Sequence, residues 1–417
     1  MRTEQFFGEN YHYIWSNGWE MDGNGAWFMA GAMDVLFYFD KNTKTTKIVD
    51  KIPTEHVFEL RQHPRCIQAE NAVICLPDKG SDIWLYHFAN GLWTHIPLEN
   101  PDKVRVGCFN TWLIEEKLYM VSIGLKQIIE LDTKKECIIN YYDLPINTDE
   151  NITESVMVNG EIYVAGVSPA NIYKFNCLDK SIKIYNLSEI NDLIQTICFD
   201  GNKFWLSGQQ KNIYIWEEST EKITILDNFP KGIGIWNFSG KYKDLFHEIE
   251  DAADIPLFLC SVSAGRYIWF IPFQTNEIVY IDKDTYEMKL FSIEEEGHTE
   301  ENISTQLLRH KYLLQYVRDD RYIGLFSLKN KWIFEVDSKE LEYRILDYHL
   351  DKKFILQIEK TIFQDMMSKF SILFEQQSND LENILESFSD DNKSNPVNKK
   401  SESVSNSIGK SIYLLSN

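Results

Sequence analysis

Signatures of catalysis are missing from this chain of 417 residues. No Walker loop, GxGxxG, HExxH or GxSxG occurs, which removes the phosphate-cradling, zinc-hydrolase and nucleophile-elbow chemistries that those spacings serve. Cysteine is sparse and unpaired in pattern: Cys66, Cys75, Cys108, Cys137, Cys177, Cys198 and Cys260 stand apart with no CxxC. That argues against a zinc ribbon or a disulfide framework and predicts reduced thiols in a cytoplasmic protein. The nine histidines are dispersed, with His56 and His63 the nearest to a pair. No metal and no cofactor is expected.

Positive charge is also short. Lys and Arg number 42 against 63 Asp and Glu, a formal net charge of −21. Phosphate backbones are held by cations that displace counterions, so a nucleic-acid partner is not expected. A partner steered by charge would itself be basic. No stretch approaches the roughly 18 apolar residues that a membrane-spanning helix needs. The first ten residues carry Arg2, Glu4 and Glu9 and lack the apolar core of a signal peptide. Neither membrane insertion nor secretion is expected.

What the chain has instead is a repeat. Arg266-Tyr-Ile-Trp-Phe-Ile-Pro-Phe-Gln-Thr-Asn-Glu-Ile-Val-Tyr-Ile-Asp282 aligns without a gap with Arg321-Tyr-Ile-Gly-Leu-Phe-Ser-Leu-Lys-Asn-Lys-Trp-Ile-Phe-Glu-Val-Asp337. Each unit ends in an alternating apolar run closed by a polar residue, at Asp40, His87, Asp132, Asn176, Glu217, Asp282 and Asp337. The first five closing positions lie 41 to 47 residues apart, and the last two steps are 65 and 55. Four short strands with tight turns fill about 40–45 residues. Period-2 alternation with aromatic and β-branched residues on both sides suits sheets buried on both faces by their neighbours. The closing Asp or Asn precedes segments such as Lys-Asn-Thr and Lys-Asp-Thr, a turn that such side chains cap. The column of acidic residues therefore reads as structural, not catalytic. Gly160, Gly201 and Gly265 mark the hairpin between the first and second strands of their units.

Seven units predict an all-β fold, a seven-bladed β-propeller of four-stranded blades over residues 1–346. Tyr11 to Trp15 is expected as the innermost strand of the first blade, so that the ring closes without borrowing a C-terminal strand. Over Tyr11 to Leu346 the pattern resembles the β-propeller superfamily. In texture it is similar to kelch-type and streptogramin-lyase-type propellers, as in Ile268-Trp-Phe-Ile-Pro272 followed by Ile278-Val-Tyr-Ile-Asp282. The kelch Gly-Gly pair and the Gly-His and Trp-Asp dipeptides of the WD40 class are missing, so the resemblance implies a fold and not an activity. Glu20-Met-Asp22-Gly-Asn-Gly25-Ala-Trp27 is loosely similar to the Asp box of sialidase-type propellers. Its spacing departs from that motif and it does not recur.

The 65-residue step marks an insertion at 229–256 between blades five and six, in which Tyr242 to Asp254 has helical spacing. A smaller excess, Glu294 to Gln306, precedes blade seven. Beyond Leu346 the repeat stops. Phe354, Ile358, Ile362, Met366, Phe370 and Phe374 recur every four residues, which predicts an amphipathic helical segment over 351–388. Residues 389–407 are dominated by Ser, Asn, Asp and Lys and predict a disordered linker. The short apolar motif at 408–417, with Ile408, Ile412, Tyr413 and Leu414, then reads as a docking element on a tether.

Polar side chains gather in the loops after the second strand of each blade. Asp34, Asp78, Lys79, Asp82, Lys126, Asn171, Gln209, Gln210, Lys211, Asn212, Gln274, Asn276, Lys329 and Asn330 are the candidate binding residues. They are hydrogen-bonding groups rather than nucleophile–base pairs, and they point to recognition. The expected function is a non-catalytic scaffold that holds a protein or peptide partner on this loop face and docks a second through the tail, for instance as an accessory to a modifying enzyme. A lyase or hydrolase with its site at the funnel mouth is the alternative. Exposed Trp19, Trp112 and Trp236 would instead suit carbohydrate.

Overall fold

A computed structural model describes residues 16–31, 34–54, 61–147, 150–236, 246–248, 256–273, 275, 277–293, 312–327, 332–346 and 349–350. The chain divides into two compact units, His12–His349 and a second made of Met1–Tyr11 with Leu350–Asn417. The predicted helical segment, linker and C-terminal motif lie outside the described residues.

Within His12–His349 the chain forms a seven-bladed β-propeller. Each blade is an antiparallel sheet of four consecutive strands, and the first sheet carries one further short strand that begins at His349. The innermost strands are Glu20–Met21, Arg65–Gln68, Cys108–Ile114, Ile152–Val158, Thr196–Phe199, Phe258–Ala264 and Tyr312–Arg318. The innermost strand of blade one is thus Glu20–Met21, downstream of the expected Tyr11 to Trp15, which lies outside the described residues. Asp22 Oδ1 accepts from Asn24 N at 2.7 Å and Gly25 N at 2.6 Å. This tight turn folds Glu20–Met21 onto Gly25–Met29, and it explains the Asp-box likeness as turn chemistry.

The core is distributed among blade interfaces. One cluster packs Ile74, Leu76 and Leu85 of blade two on Leu118, Met120 and Ile129 of blade three. The next sets Tyr119 and Ile128 against Ile162 and Tyr173. Similar clusters join blades four to five, five to six and six to seven. Second strands such as Ala72–Leu76 and Phe204–Ser207 are buried along their whole length, whereas outer strands such as Thr45–Lys51 alternate with solvent. Burying one such Ile or Leu stabilises by about 1.5–3 kcal/mol, so every interface contributes a sizeable increment.

The strand that begins at His349, beyond blade seven, adds to the outer edge of blade one, so a C-terminal strand does enter the first sheet, and backbone and side-chain bonds join the inner strands of blades one and seven. Trp19 N donates to Gln315 O at 2.8 Å, Ser16 Oγ to Gln315 Oε1 at 2.6 Å, and Gln315 Nε2 to Ser16 O at 3.1 Å. The Trp19 indole packs on Phe28 at 5.2 Å, Phe39 at 5.3 Å and Tyr316 at 6.1 Å, so blade one meets blade seven through aromatic contact.

The turn between third and fourth strands is capped by the same device in five of the seven blades. Asp40, Asp132, Asn176, Asp282 and Asp337 accept backbone N–H groups two and three residues on, for example Asp284 N at 3.0 Å and Thr285 N at 2.9 Å for Asp282. Four residues after each closing position the backbone turns left-handed, at Lys44, Gly91, Glu136, Lys180, Glu221, Tyr286 and Leu341, with φ between 52° and 68°. Capping by the closing Asp or Asn side chain offsets the cost of that conformation at Lys44, Glu136, Lys180, Tyr286 and Leu341.

The insertion departs from its sequence pattern. Gly234–Trp236 pairs antiparallel with Phe246–Glu248, inside the stretch expected to be helical. A paired strand satisfies the backbone groups that an isolated short helix would leave to solvent, and such pairing overrides weak local propensity.

Candidate binding face and central channel

The loops after the second strands share one face with the connections between blades, because both follow strands that end on the same side. Backbone bonds stitch the two sets together: Arg61 N to Gly31 O at 2.9 Å, Asp78 N to Gln62 O at 2.9 Å, Ile194 N to Val167 O at 3.1 Å and Leu257 N to Gly208 O at 3.0 Å. Buried side chains then lock the stitching.

Asp34 is 1% exposed and accepts from His63 N at 3.0 Å, with His63 Nδ1 2.9 Å from its other oxygen. The opposite ring nitrogen, Nε2, donates to the Asp82 carbonyl at 2.9 Å, so His63 joins two of the predicted residues across blades one and two. Gly80 makes room for this ring, since a Cβ there would stand 2.6 Å from His63 Nε2. The Asp82 side chain lies 3.4 Å from His95 Nδ1. Asp78 is fully buried and grips Arg105 Nε at 2.5 Å and Arg61 Nε at 2.8 Å, tying the connections on either side of blade two. Lys79 beside it is exposed.

Lys126 donates through Nζ to the Glu150 carbonyl at 2.5 Å and the Asn147 carbonyl at 3.4 Å. Asn171 is buried, with Nδ2 3.4 Å from Tyr173 Oη. Asp192 Oδ1 accepts Gln209 N at 2.9 Å and Gln210 N at 3.2 Å, while the Gln210 side chain donates to Asn191 O. Asn212 Nδ2 donates to Gln210 Oε1 at 3.1 Å and Tyr214 Oη at 3.2 Å, and Lys211 is half-buried next to it. Gln274, Asn276, Lys329 and Asn330 lie outside the described residues, as do Ile408, Ile412, Tyr413 and Leu414. The face thus gathers its polar residues blade by blade, and many of them hold loops in place.

Sequence reasoning missed the partners, namely Arg61, His63, Arg105 and Asp192. They sit in connections of irregular length, where no period marks them, and only the ring sets them against the loops.

The ring axis holds a second arrangement. A cavity of about 240 Å³ is lined by the innermost strands, with Glu20, Arg65, Asn110, Trp112 and Gln315 on its wall. Arg65 Nε donates to the Asn17 carbonyl at 2.9 Å. Burial lowers the Arg65 pKa, while Glu154, Cys260, Cys66 and Glu20 act in the other direction. Burial raises Glu20 against the pull of Gln68 and Arg65. Glu154 is pushed up to about 8 by burial, against the Ile197 amide, Arg65 and the Ser261 amide. Its Oε2 accepts Ile197 N at 3.3 Å, so this side chain reaches from blade four toward blade five. Perturbed carboxyls beside a buried guanidinium mark a place where charge is held away from water. Neither Glu154 nor Arg65 stood out in the sequence, because one charged residue inside an apolar strand carries no motif.

Trp19 is only 5% exposed, occupied by ring closure, and so offers no surface to a sugar. Trp112 is half-buried on the cavity wall, and the Trp236 side chain lies outside the described set. All seven cysteines are free, six of them buried and Cys137 exposed. Among the described residues no group of three or more His, Cys, Asp or Glu is placed to hold a metal.

No family model and no curated protein matches this sequence. Among solved structures, a chain of the mitotic checkpoint complex superposes with a TM-score of 0.53 at 10% identity, over 82% of this chain and 90% of its own. The computationally designed Ika8 protein superposes with a TM-score of 0.52 at 11% identity, over 82% and 90% respectively. At such identity the likeness is one of fold. A catalytically inactive virginiamycin B lyase from Staphylococcus aureus with quinupristin reaches a TM-score of 0.47 at 17% identity, over 69% of this chain and 83% of its own, too distant to bear on any site.

Proposed function

We propose that this chain is a non-catalytic binding scaffold of the cytoplasm. The face carrying its second-to-third-strand loops would receive a peptide or protein partner, and the apolar C-terminal motif around Ile412 to Leu414 would dock a second. One observation supports the reading above others: Asp34, Asp78, Lys126 and Asp192 pin these loops to the inter-blade connections. Loops already held in one conformation lose little entropy when a partner binds, which favours affinity without large contact area. The acidic chain favours a partner with basic groups, and association should weaken as salt rises.

The test compares affinity capture by three proteins: the full chain, a chain ending at Glu375, and a full chain carrying Asp82→Lys, which reverses a charge on the loop face. The reading expects a partner that the face variant loses. It expects a second partner, or a share of the first, lost with the tail. Identical partners from the full chain and the face variant would sink the loop-face assignment.

A second reading has Glu154 to support it. A carboxyl with a pKa of about 8 exchanges its proton near neutrality, as the acid–base group of a lyase or hydrolase must. Under that reading Glu154→Gln removes turnover and leaves capture intact.

A further inference from the structure

The axial cavity presents charges of both signs to one small space. Arg65 stands on its wall with Nε fixed by the Asn17 carbonyl, and Glu20 stands on the same wall from the neighbouring blade. Close packing sets the position of the guanidinium: a Cβ on Gly18 would lie 3.0 Å from Arg65 Nε and 3.1 Å from Nη2. The amides of Asn110 and Gln315 and the indole of Trp112 complete a lining that is neither apolar nor of one charge. None of this belongs to the loop face proposed to receive a protein.

We propose that the cavity is a binding site for a small zwitterion, a free α-amino acid, whose carboxylate meets Arg65 and whose ammonium meets Glu20. Three physical points carry this. A simple anion satisfies Arg65 but is repelled by Glu20, and a simple cation meets the reverse problem. A molecule bearing both charges complements both walls and brings no net charge into a poorly solvated place. The volume of about 240 Å³ is on the scale of a single small molecule rather than of a folded peptide segment. Burial raises the pKa of Glu20 and of nearby Glu154, so an ammonium beside them relieves the cost of ionising either carboxyl.

Isothermal titration of the full chain with the twenty α-amino acids singly, and with sodium acetate and methylammonium chloride as single-charge controls, tests this. At least one amino acid binds, and both controls bind at least tenfold more weakly. Arg65→Met and Glu20→Gln each weaken the amino acid by about tenfold to a hundredfold, the usual range for a charge-assisted hydrogen bond. Three results each overturn the proposal: no amino acid binds, acetate or methylammonium binds as tightly as the best amino acid, or affinity survives in both folded variants. If the variants do not fold, the single-charge comparison on the unaltered chain decides by itself. Binding here is independent of partner capture by the loop face, so either proposal can fail without the other.

Discussion

Glu130→Gln should reveal how much one buried carboxylate stabilises the contact between blades three and four. Glu130 is 1% exposed and accepts from Tyr119 Oη at 2.9 Å, Tyr142 Oη at 2.6 Å, Lys117 Nζ at 3.0 Å and Lys180 Nζ at 3.0 Å. Lys180 sits in the third-to-fourth-strand turn of the next blade, with its ammonium 4.6 Å from the Tyr119 ring centre. Burial works to raise the carboxyl's pKa, but the four donors outweigh it and hold it at about 2 against an ordinary 4.5. A folded pKa below the unfolded one means that the unfolded chain binds more protons. The stabilisation is therefore complete above pH 4.5 and is lost as pH falls toward 2. Converted at 1.36 kcal/mol per pKa unit, the ionised group contributes up to about 3 kcal/mol at pH 7 and roughly 1.4 kcal/mol at pH 3. Urea unfolding of both proteins at the two pH values reads the difference directly. Glutamine keeps the volume, so a deficit that is equal at pH 3 and pH 7 would refute the electrostatic account and leave only a packing effect. A deficit under about 0.5 kcal/mol at pH 7 would show that the lysines and tyrosines are equally content with water.

Three further expectations follow from the same geometry. Asp78→Ala strands Arg61 and Arg105 and should destabilise by about 3–5 kcal/mol. Hydrogen exchange should quicken at residues 61–63 and 104–107, and unchanged protection there would contradict the pinning of the face. For Glu154 the sign is reversed: the folded state keeps a proton that the unfolded chain releases between pH 4.5 and about 8, so stability declines as pH rises through that window. Glu154→Gln should flatten the profile between pH 5 and 8.5 in chemical denaturation, and an unaltered slope would move the raised pKa elsewhere. Trp19→Ala opens the junction of first and last blades and should lose about 3–5 kcal/mol, whereas Asn176→Ala, which removes one turn cap, should lose only about 1 kcal/mol. Thermal melts that rank these two in the opposite order would contradict ring closure through Trp19.

Repetition made the architecture readable from residues alone. Alternation through segments such as Ile278 to Asp282 needs only nearest-neighbour geometry, and a polar residue closing each run states where the turn falls. The acidic column is a turn device for the same local reason: Asp282 reaches backbone amides two and three residues away. Reading failed where local pattern competed with pairing. Tyr242 to Asp254 has helical spacing, yet Phe246–Glu248 is a strand, because Gly234–Trp236 offers it a partner that periodicity does not encode. The start of blade one was set too early, because aromatic residues at Tyr11 to Trp15 suit a strand as well as the short Glu20–Met21 segment that the Asp22 turn selects.

Composition and period by themselves determined that this protein is a ring of seven four-stranded sheets rich in Tyr, Phe and Trp, with few cations and no conventional catalytic motif. Only the tertiary structure decided which polar groups meet. Asp34 finds His63, Asp78 finds Arg61 and Arg105, and Arg65 comes within electrostatic range of Glu154. These pairs join residues from different blades or from connections of irregular length, so no spacing announces them. Closing the ring is what turns them toward one another. It also raises the Glu154 pKa, since a carboxyl's pKa depends on the water and partners around it rather than on its neighbours in the chain.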